Sequence, residues 1–408
     1  MIPTHTKFND DIFVVTHEGQ DYAYAYRYNL LRKIEDEHRD ALDTIPISAL
    51  DEKSLWKLRE IPRNPEWQLR DSLIIGVTSV CNLSCSYCHV SGGDYTATLS
   101  TGMIGSIKRL IAKAFAAKPK HFRVHFQGDG EALTKQKVME DLMDYTAAVA
   151  GDIKTRFSLV TNATLINESN IEFIKRFTFI QVSFDGIPEI NDMNRGLSDL
   201  TVAGMRLLVA NKVNFAVRST LSPEALDALI PFVDYMNQIV DPHSDHPFQL
   251  AVSPIHKGER ILDDEDYVDA ETFITKFLTA KEYAKTKNII LSCAYEEASM
   301  PQNSYCMATS GIFFAPSGTL SSCTRASRED SEHAHLIYGR FNPETLEYDI
   351  DQDKFANLKS LTDIPEDCKA CPALMLCGGS SCYVSKNEYN CSIKIPFLLL
   401  HRLKAGGY

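Results

Sequence analysis

Between residues 71 and 290, short apolar runs alternate with amphipathic segments, and this alternation constrains the fold more than any other feature. The runs are "LIIGV" (73–77), "FRVHF" (122–126), "FSLVT" (157–161), "FIQVSF" (179–184), "NFAVRST" (214–220) and "FQLAVS" (248–253). Between them lie helical patterns such as "IGSIKRLIAKAFAA" and "QKVMEDLMDYTAAVA". Six β-then-α units predict an α/β fold: a parallel sheet with helices outside, curved as far as a partial (β/α)6 barrel. In such folds ligands bind at the C-terminal ends of the strands.

The flanks read differently. Residues 1–70 form a small α+β segment, in which "DIFVVT" and "DYAYAYRYN", split by "HEGQ", predict a hairpin. Helical patterns follow at "LLRKIEDEHRDAL" and "LDEKSLWKLRE", and the prolines of "IPRNP" mark a linker. Residues 291–408 lose helical periodicity and crowd with cysteines; "SRED", "NPETLEYDIDQD" and "CGGSSC" read as loops and turns.

Charge and composition remove several function classes. The formal net charge is −12, against the basic face that a nucleic-acid partner requires. No run of 18 apolar residues predicts a membrane span, by the threshold of about 18. "MIPTHTKFNDD" lacks the basic and apolar regions of a signal peptide, so a cytoplasmic location is expected. In a reducing cytosol, eleven cysteines point to metal binding before disulfides.

Three of those cysteines, Cys81, Cys85 and Cys88, share the loop "SVCNLSCSYCHV" directly after the first predicted strand, at the functional end of the sheet. Three thiols suit neither a four-ligand zinc site nor a paired disulfide. They do suit a 4Fe–4S cubane with one iron left open, since each iron otherwise takes a thiolate. The C-x3-C-x2-C spacing, with Tyr87 before the last cysteine, resembles the signature of the radical S-adenosylmethionine (radical SAM) superfamily. That resemblance implies that S-adenosylmethionine (SAM) chelates the open iron and is cleaved to a 5′-deoxyadenosyl radical that abstracts hydrogen.

Further stretches agree with it in order along the chain. "FQGDGEAL" (126–133) is similar to the family's glycine-rich, glutamate-ended motif for the methionyl amine, which implies roles for Gly128, Gly130 and Glu131. It departs from the pattern in Asp129, between the glycines, and in Ala132, where proline is usual. "TNAT" (161–164) resembles a family motif and implicates Asn162; "SFDG" (183–186) implies that Ser183 and Asp185 contact ribose or carboxylate. Arg218 is expected to pair the methionyl carboxylate, a planar fork matched to an anion.

The C-terminal cysteines resemble a SPASM domain, an extension of peptide- and protein-modifying radical SAM enzymes with two auxiliary 4Fe–4S clusters. Carried over by position, Cys306, Cys323 and Cys382 hold the first, and Cys368, Cys371, Cys377 and Cys391 the second, for three clusters in all. Cys377 and Cys382 enclose four residues, where the family has three. The first auxiliary cluster is one ligand short. Cys293 in "IILSCAY" either completes it or is a buried strand cysteine.

The resemblance implies a peptide or protein substrate and a low-potential electron donor such as flavodoxin or ferredoxin. Sulfatase-maturing members carry an aspartate base where this chain has Thr324, after Cys323. A threonine does not take a proton unaided at neutral pH. The expected function is therefore oxidative crosslinking of a ribosomally made precursor peptide. Sulfatase-type residue oxidation and small-molecule oxidoreduction are the alternatives. Asp129 is a candidate proton acceptor, or else a side chain in solvent. The N-terminal hairpin either covers the barrel or adds a leader peptide as a strand.

Overall fold

A computed structural model describes residues 2–28, 30–34, 66–240, 246–255, 267–296, 311–358, 365–377 and 388–407. Among the described residues the chain builds two sheets. The first is antiparallel, in the order β1 (Thr4–Lys7), β2 (Ile12–His17), β3 (Gln20–Ala25), β4 (Leu30–Lys33). Glu18 and Gly19 join β2 to β3 with φ of 53° and 77°. Positive φ at both central positions matches the right-handed twist of a two-residue hairpin, which is why "EG" stands there. The hairpin is as expected, but Leu30–Lys33 is a strand and not the start of a helix. Its residues pair with Tyr22–Ala25, and that pairing overrides a local helical pattern. The remainder of that pattern, the second helical pattern and the "IPRNP" linker lie outside the described residues.

The second sheet holds eleven strands. They are β5 (Ser72–Ile75), β6 (His121–Phe126), β7 (Lys154–Thr161), β8 (Phe179–Ser183), β9 (Phe215–Leu221), β10 (Phe248–Pro254), β11 (Ile289–Cys293), β12 (Phe313–Phe314), β13 (Thr319–Ser321), β14 (Ile337–Asn342) and β15 (Glu347–Ile350). β5 through β11 lie side by side in chain order, each parallel to the next. All six expected strands are present, and β11 adds a seventh. The boundary drawn at residue 290 therefore falls inside a strand. On the opposite flank, β12 pairs parallel with β5, and β13 to β15 continue antiparallel. The C-terminal region thus extends the same sheet, and "NPETLEYDIDQD" contains β15 rather than loop alone. Its periodicity also does not fade throughout: Glu388–Ala405 is a helix.

Helices cover one face of the parallel strands, Thr101–Ala116 and Gln136–Ala150 among them. The first begins at Ser100, whose Oγ accepts the Met103 N–H at 3.2 Å, a standard cap. Ile107, Ile111, Leu142 and Met143 from these helices join Ile75, Val124, Leu159 and Val217 from the strands in one core. The alternate strand positions, including His125, Ser158, Ser183 and Arg218, face away and are less buried. Period-2 alternation makes that second face polar and leaves it free for chemistry.

Among the described residues, one face of the N-terminal sheet packs on the C-terminal region. Phe13, Tyr22, Tyr24 and Leu31 pack on Leu374, Met375, Leu399 and Leu403. The Tyr26 hydroxyl donates to the Lys369 carbonyl at 2.8 Å, fixing the two together. Among the described residues, no helix is long and apolar enough to cross a membrane.

Candidate functional site

The strands β5 to β8 end at one cavity of about 150 Å³. Cys81, Cys85, Cys88, Gly128, Gly130, Glu131, Asn162 and Ser183 line it. So do Gln127, Asp129 and Arg195. The cysteine loop is closed at its base, where the Ser79 N–H donates to Ala97 O at 2.8 Å and Gly93 N–H to Ser79 O at 3.1 Å. Closing the ends makes the loop a stable rim of the sheet.

The glycine loop after β6 presses against that rim. A Cβ on Gly130 would stand 2.3 Å from the Val80 carbonyl oxygen, so no larger residue fits without moving the cysteine loop. A Cβ on Gly92 would meet the Asp129 carbonyl at 2.7 Å and the Cys88 sulfur at 3.4 Å. Gly128 adopts φ 133° beneath the Phe313 ring, a conformation that favours glycine.

The Glu131 carboxylate ties the ends of β6 and β7 together. Its Oε1 accepts from Leu133 N at 3.0 Å and Thr161 Oγ1 at 2.8 Å, and Oε2 accepts from Asn162 N at 2.7 Å. Burial raises its pKa, and these three donors oppose the rise. A carboxylate has roughly four acceptor positions, so Oε2 keeps capacity for a further donor. Asn162 extends the tie: its Nδ2 donates to Asn82 Oδ1 at 3.0 Å, and Asn82 Nδ2 donates to Thr164 Oγ1 at 2.7 Å. Asn82, inside the cysteine motif, carries no spacing signal and is recognisable only from this contact.

Asp185 is fully buried and stands behind the residues that line the cavity. Oδ1 accepts Thr220 N at 2.7 Å, while Oδ2 takes Arg195 Nε at 2.7 Å and the Tyr87 hydroxyl. With these donors in place it holds Arg195 and Tyr87. Tyr87 likewise lies under the Arg195 guanidinium, 5.3 Å from ring centroid to Cζ. Arg218 stands opposite Ser183 on β9 and donates to Ser253 Oγ at 3.1 Å, outside the cavity lining. Asp129 is not in solvent. It is buried at 3% exposure, with φ 24°.

The donor set fits an iron–sulfur cluster. Cys81, Cys85 and Cys88 form no disulfide among the described residues and are half-buried, and the Cys88 sulfur already accepts the Gly92 N–H at 3.1 Å. Burial pushes the Cys81 thiol up to about 11 and raises Cys85 as well, so ligation would release protons. Among the described residues no three His, Cys, Asp or Glu side chains converge on a single-ion site. A cubane instead takes its thiolates at separate irons.

Of the C-terminal set, Cys306 and Cys382 lie outside the described residues. Cys368, Cys371, Cys377 and Cys391 form no disulfide among the described residues and are half-buried. Burial pushes the Cys371 thiol up to about 12, and the neighbouring Cys377, Cys368 and Cys391 raise it further, which places the four together. Cys323 follows β13 and packs on the main core. Cys293 is buried within β11 beside Val252, as a core cysteine would be.

Residues 75–234 match the model of the Radical SAM superfamily, and this part of the chain is a radical SAM domain. An uncharacterized protein of Methanocaldococcus jannaschii is 29% identical over 171 residues, 40% of this chain and 57% of its own. A cysteine-type anaerobic sulfatase-maturating enzyme of Clostridium novyi is 22% identical, covering 44% of this chain and 54% of its own. The radical SAM cyclopropyl synthase TigE of Paramaledivibacter caminithermalis is 24% identical, covering 62% and 57%. The chain thus spans little more than half the length of these relatives. Among solved structures, native anSMEcpe with bound AdoMet superposes with a TM-score of 0.65 at 20% identity, over 82% of this chain and 99% of that one. Streptococcus suis SuiB bound to S-adenosylmethionine superposes at 0.54 and 13% identity, over 79% and 76%. At these identities the likeness concerns the fold.

Proposed function

We propose that this chain is a radical SAM peptide maturase that oxidises side chains of a ribosomally made precursor peptide, forming an intramolecular crosslink. The observation that carries the reading is the single cavity shared by Cys81, Cys85, Cys88 and the Gly128–Glu131 loop, at the C-terminal ends of parallel strands. Cys81, Cys85 and Cys88 would hold a 4Fe–4S cluster. When bound, it supplies the electron that cleaves SAM to a 5′-deoxyadenosyl radical.

The chain's own residues prepare that site. Gly128 and Gly130 let backbone approach closely, and Glu131, through Oε2, offers a buried acceptor to an ammonium group. Ser183, on the cavity wall, would meet a ribose or carboxylate oxygen. Arg218 needs only to leave Ser253 Oγ to reach an anion. The four cysteines Cys368, Cys371, Cys377 and Cys391 would hold an auxiliary cluster of a SPASM-type region. Cys323, with Cys306 and Cys382, would hold another, for three clusters in all. These would accept the second electron of the oxidation, while flavodoxin or ferredoxin would supply the first.

Oxidative bond formation is in keeping with one relative, a radical SAM cyclopropyl synthase. Another relative is a sulfatase-maturating enzyme, which favours formylglycine formation as a second reading. Thr324 stands against it, having no basic group. The test is to incubate reconstituted protein, SAM and reductant with a precursor peptide encoded nearby and with a sulfatase-derived peptide. Loss of about 2 Da, two hydrogens, from the first is expected, with Thr324→Ala retaining activity. Conversion of the second to formylglycine would replace the crosslinking reading.

A further inference from the structure

Among the described residues, Arg195 is the one arginine or lysine that lines the cavity shared by the three cysteines. It ends the helix Pro188–Asn194, which itself docks on the cysteine loop: the Ser86 N–H donates to Asn194 O at 3.1 Å. Its side chain is only 12% exposed and its partner Asp185 is 0% exposed. Buried arginine is costly unless paired, and here Nε is spent on Asp185 Oδ2 at 2.7 Å. Nη1 is left pointing toward sulfur, 3.9 Å from Cys85 Sγ. The plane of the fork is held by Tyr87, whose ring lies beneath it and whose hydroxyl shares the same carboxylate. Thr220 N fixes the carboxylate in turn. The guanidinium therefore cannot swing away without breaking several buried contacts.

From this geometry we infer that Arg195 is a positioning residue that sets the reduction potential of the cluster held by Cys81, Cys85 and Cys88. The inference rests on the radical SAM reading above. Reduction adds one electron, from a low-potential one-electron donor, to a group already carrying thiolate charge; no bond forms or breaks. A fixed cation a few ångströms from one thiolate stabilises the extra negative charge more than it stabilises the oxidised form. The effect is strong because the site is poorly hydrated. Asp185 sits on the far side of the fork, so the pair acts as a dipole with its positive end toward Cys85. Glu131 opposes it from the side of Cys81. Removing Arg195 leaves the carboxylates unopposed and makes the cluster harder to reduce.

The test is redox-titrated electron paramagnetic resonance on anaerobically reconstituted wild type, Arg195→Lys, Arg195→Met and Asp185→Asn, without SAM, with iron and sulfide measured on each. Arg195→Met should keep its iron but be about tenfold less reduced at the wild-type midpoint, a shift of about 59 mV negative for one electron. Arg195→Lys should recover most of that shift, as a merely structural role would not. Asp185→Asn should move the midpoint positive, and this holds the inference to account should the methionine variant lose its cluster. A wild-type midpoint in Arg195→Met, or the same sign of shift in Asp185→Asn, overturns the inference alone. A wild type that binds no iron overturns the radical SAM reading and the inference with it.

Discussion

Two buried carboxylates stand two residues apart in the glycine loop, and the chain treats them oppositely. Glu131 has three donors, whereas Asp129 Oδ2 has Ser79 Oγ at 3.4 Å, and among the described residues Oδ1 has no hydrogen bond within 3.5 Å. Burial pushes Asp129 up to about 6 from an ordinary 3.8, with Ser327 and Arg328 pulling weakly the other way. The sign follows from linkage. Between those values the native chain holds a proton that the unfolded chain has released, so stability falls as pH rises through this window. At pH 7 the ionised, buried group costs about 1–3 kcal/mol. Asp129→Asn keeps the shape and tolerates positive φ. It should stabilise the protein by about that amount at pH 7 and by nothing near pH 3.5, read from denaturant unfolding at both. An equal effect at the two pH values would mean that ionisation is not the cause. The same pair illustrates what sequence conveys. Gly128, Gly130 and Glu131 announce themselves as a motif, but the burial of Asp129 depends on Ser79, Ser327 and Arg328, which no local pattern links to it. Arg195 and Asn82 escape for the same reason, since their partners are fixed by tertiary packing.

At the scale of elements, the parallel strands were legible because one face of each is packed under helices, leaving short apolar runs at regular spacing. β11 falls outside the six β-then-α units because "IILSC" adjoins the cysteine-rich region, and only the buried-strand reading of Cys293 points to it. β4 was misread because "LLRK" runs into a helical pattern, and only pairing with β3 makes it a strand. The loop that carries the cysteines depends on its neighbour after β6. Gly130→Ala should push the Val80 carbonyl, 2.3 Å from the new Cβ, and cost about 1–3 kcal/mol while lowering iron bound at the three-cysteine loop. Gly105→Ala is the control. It lies in the helix Thr101–Ala116, its Cβ would meet only Arg109 at 3.4 Å, and it should gain about 0.5–1 kcal/mol with iron unchanged. Melting temperature and iron assay distinguish the two; equal iron in both would break the link between the loops.

At the scale of the whole molecule, the N-terminal sheet and the C-terminal helix Glu388–Ala405 share a core separate from that of the parallel strands. Leu403 is fully buried in it. Leu403→Ala should cost about 2–5 kcal/mol locally and raise hydrogen exchange across β2 and β3, leaving β6 and β7 protected. Uniform exchange throughout would show that the two cores unfold as one. The central claim concerns the other core, whose strand ends bring Cys81, Cys85 and Cys88 to one cavity. Its most direct measurement is 5′-deoxyadenosine formed from SAM by the anaerobically reconstituted, reduced protein. About twelve iron and twelve sulfide per chain and steady product are expected from the wild type. About a third less iron and no product are expected when the three cysteines are alanine. Stoichiometric zinc with no iron, or product that survives loss of all three cysteines, would exclude a SAM-cleaving cluster at Cys81, Cys85 and Cys88.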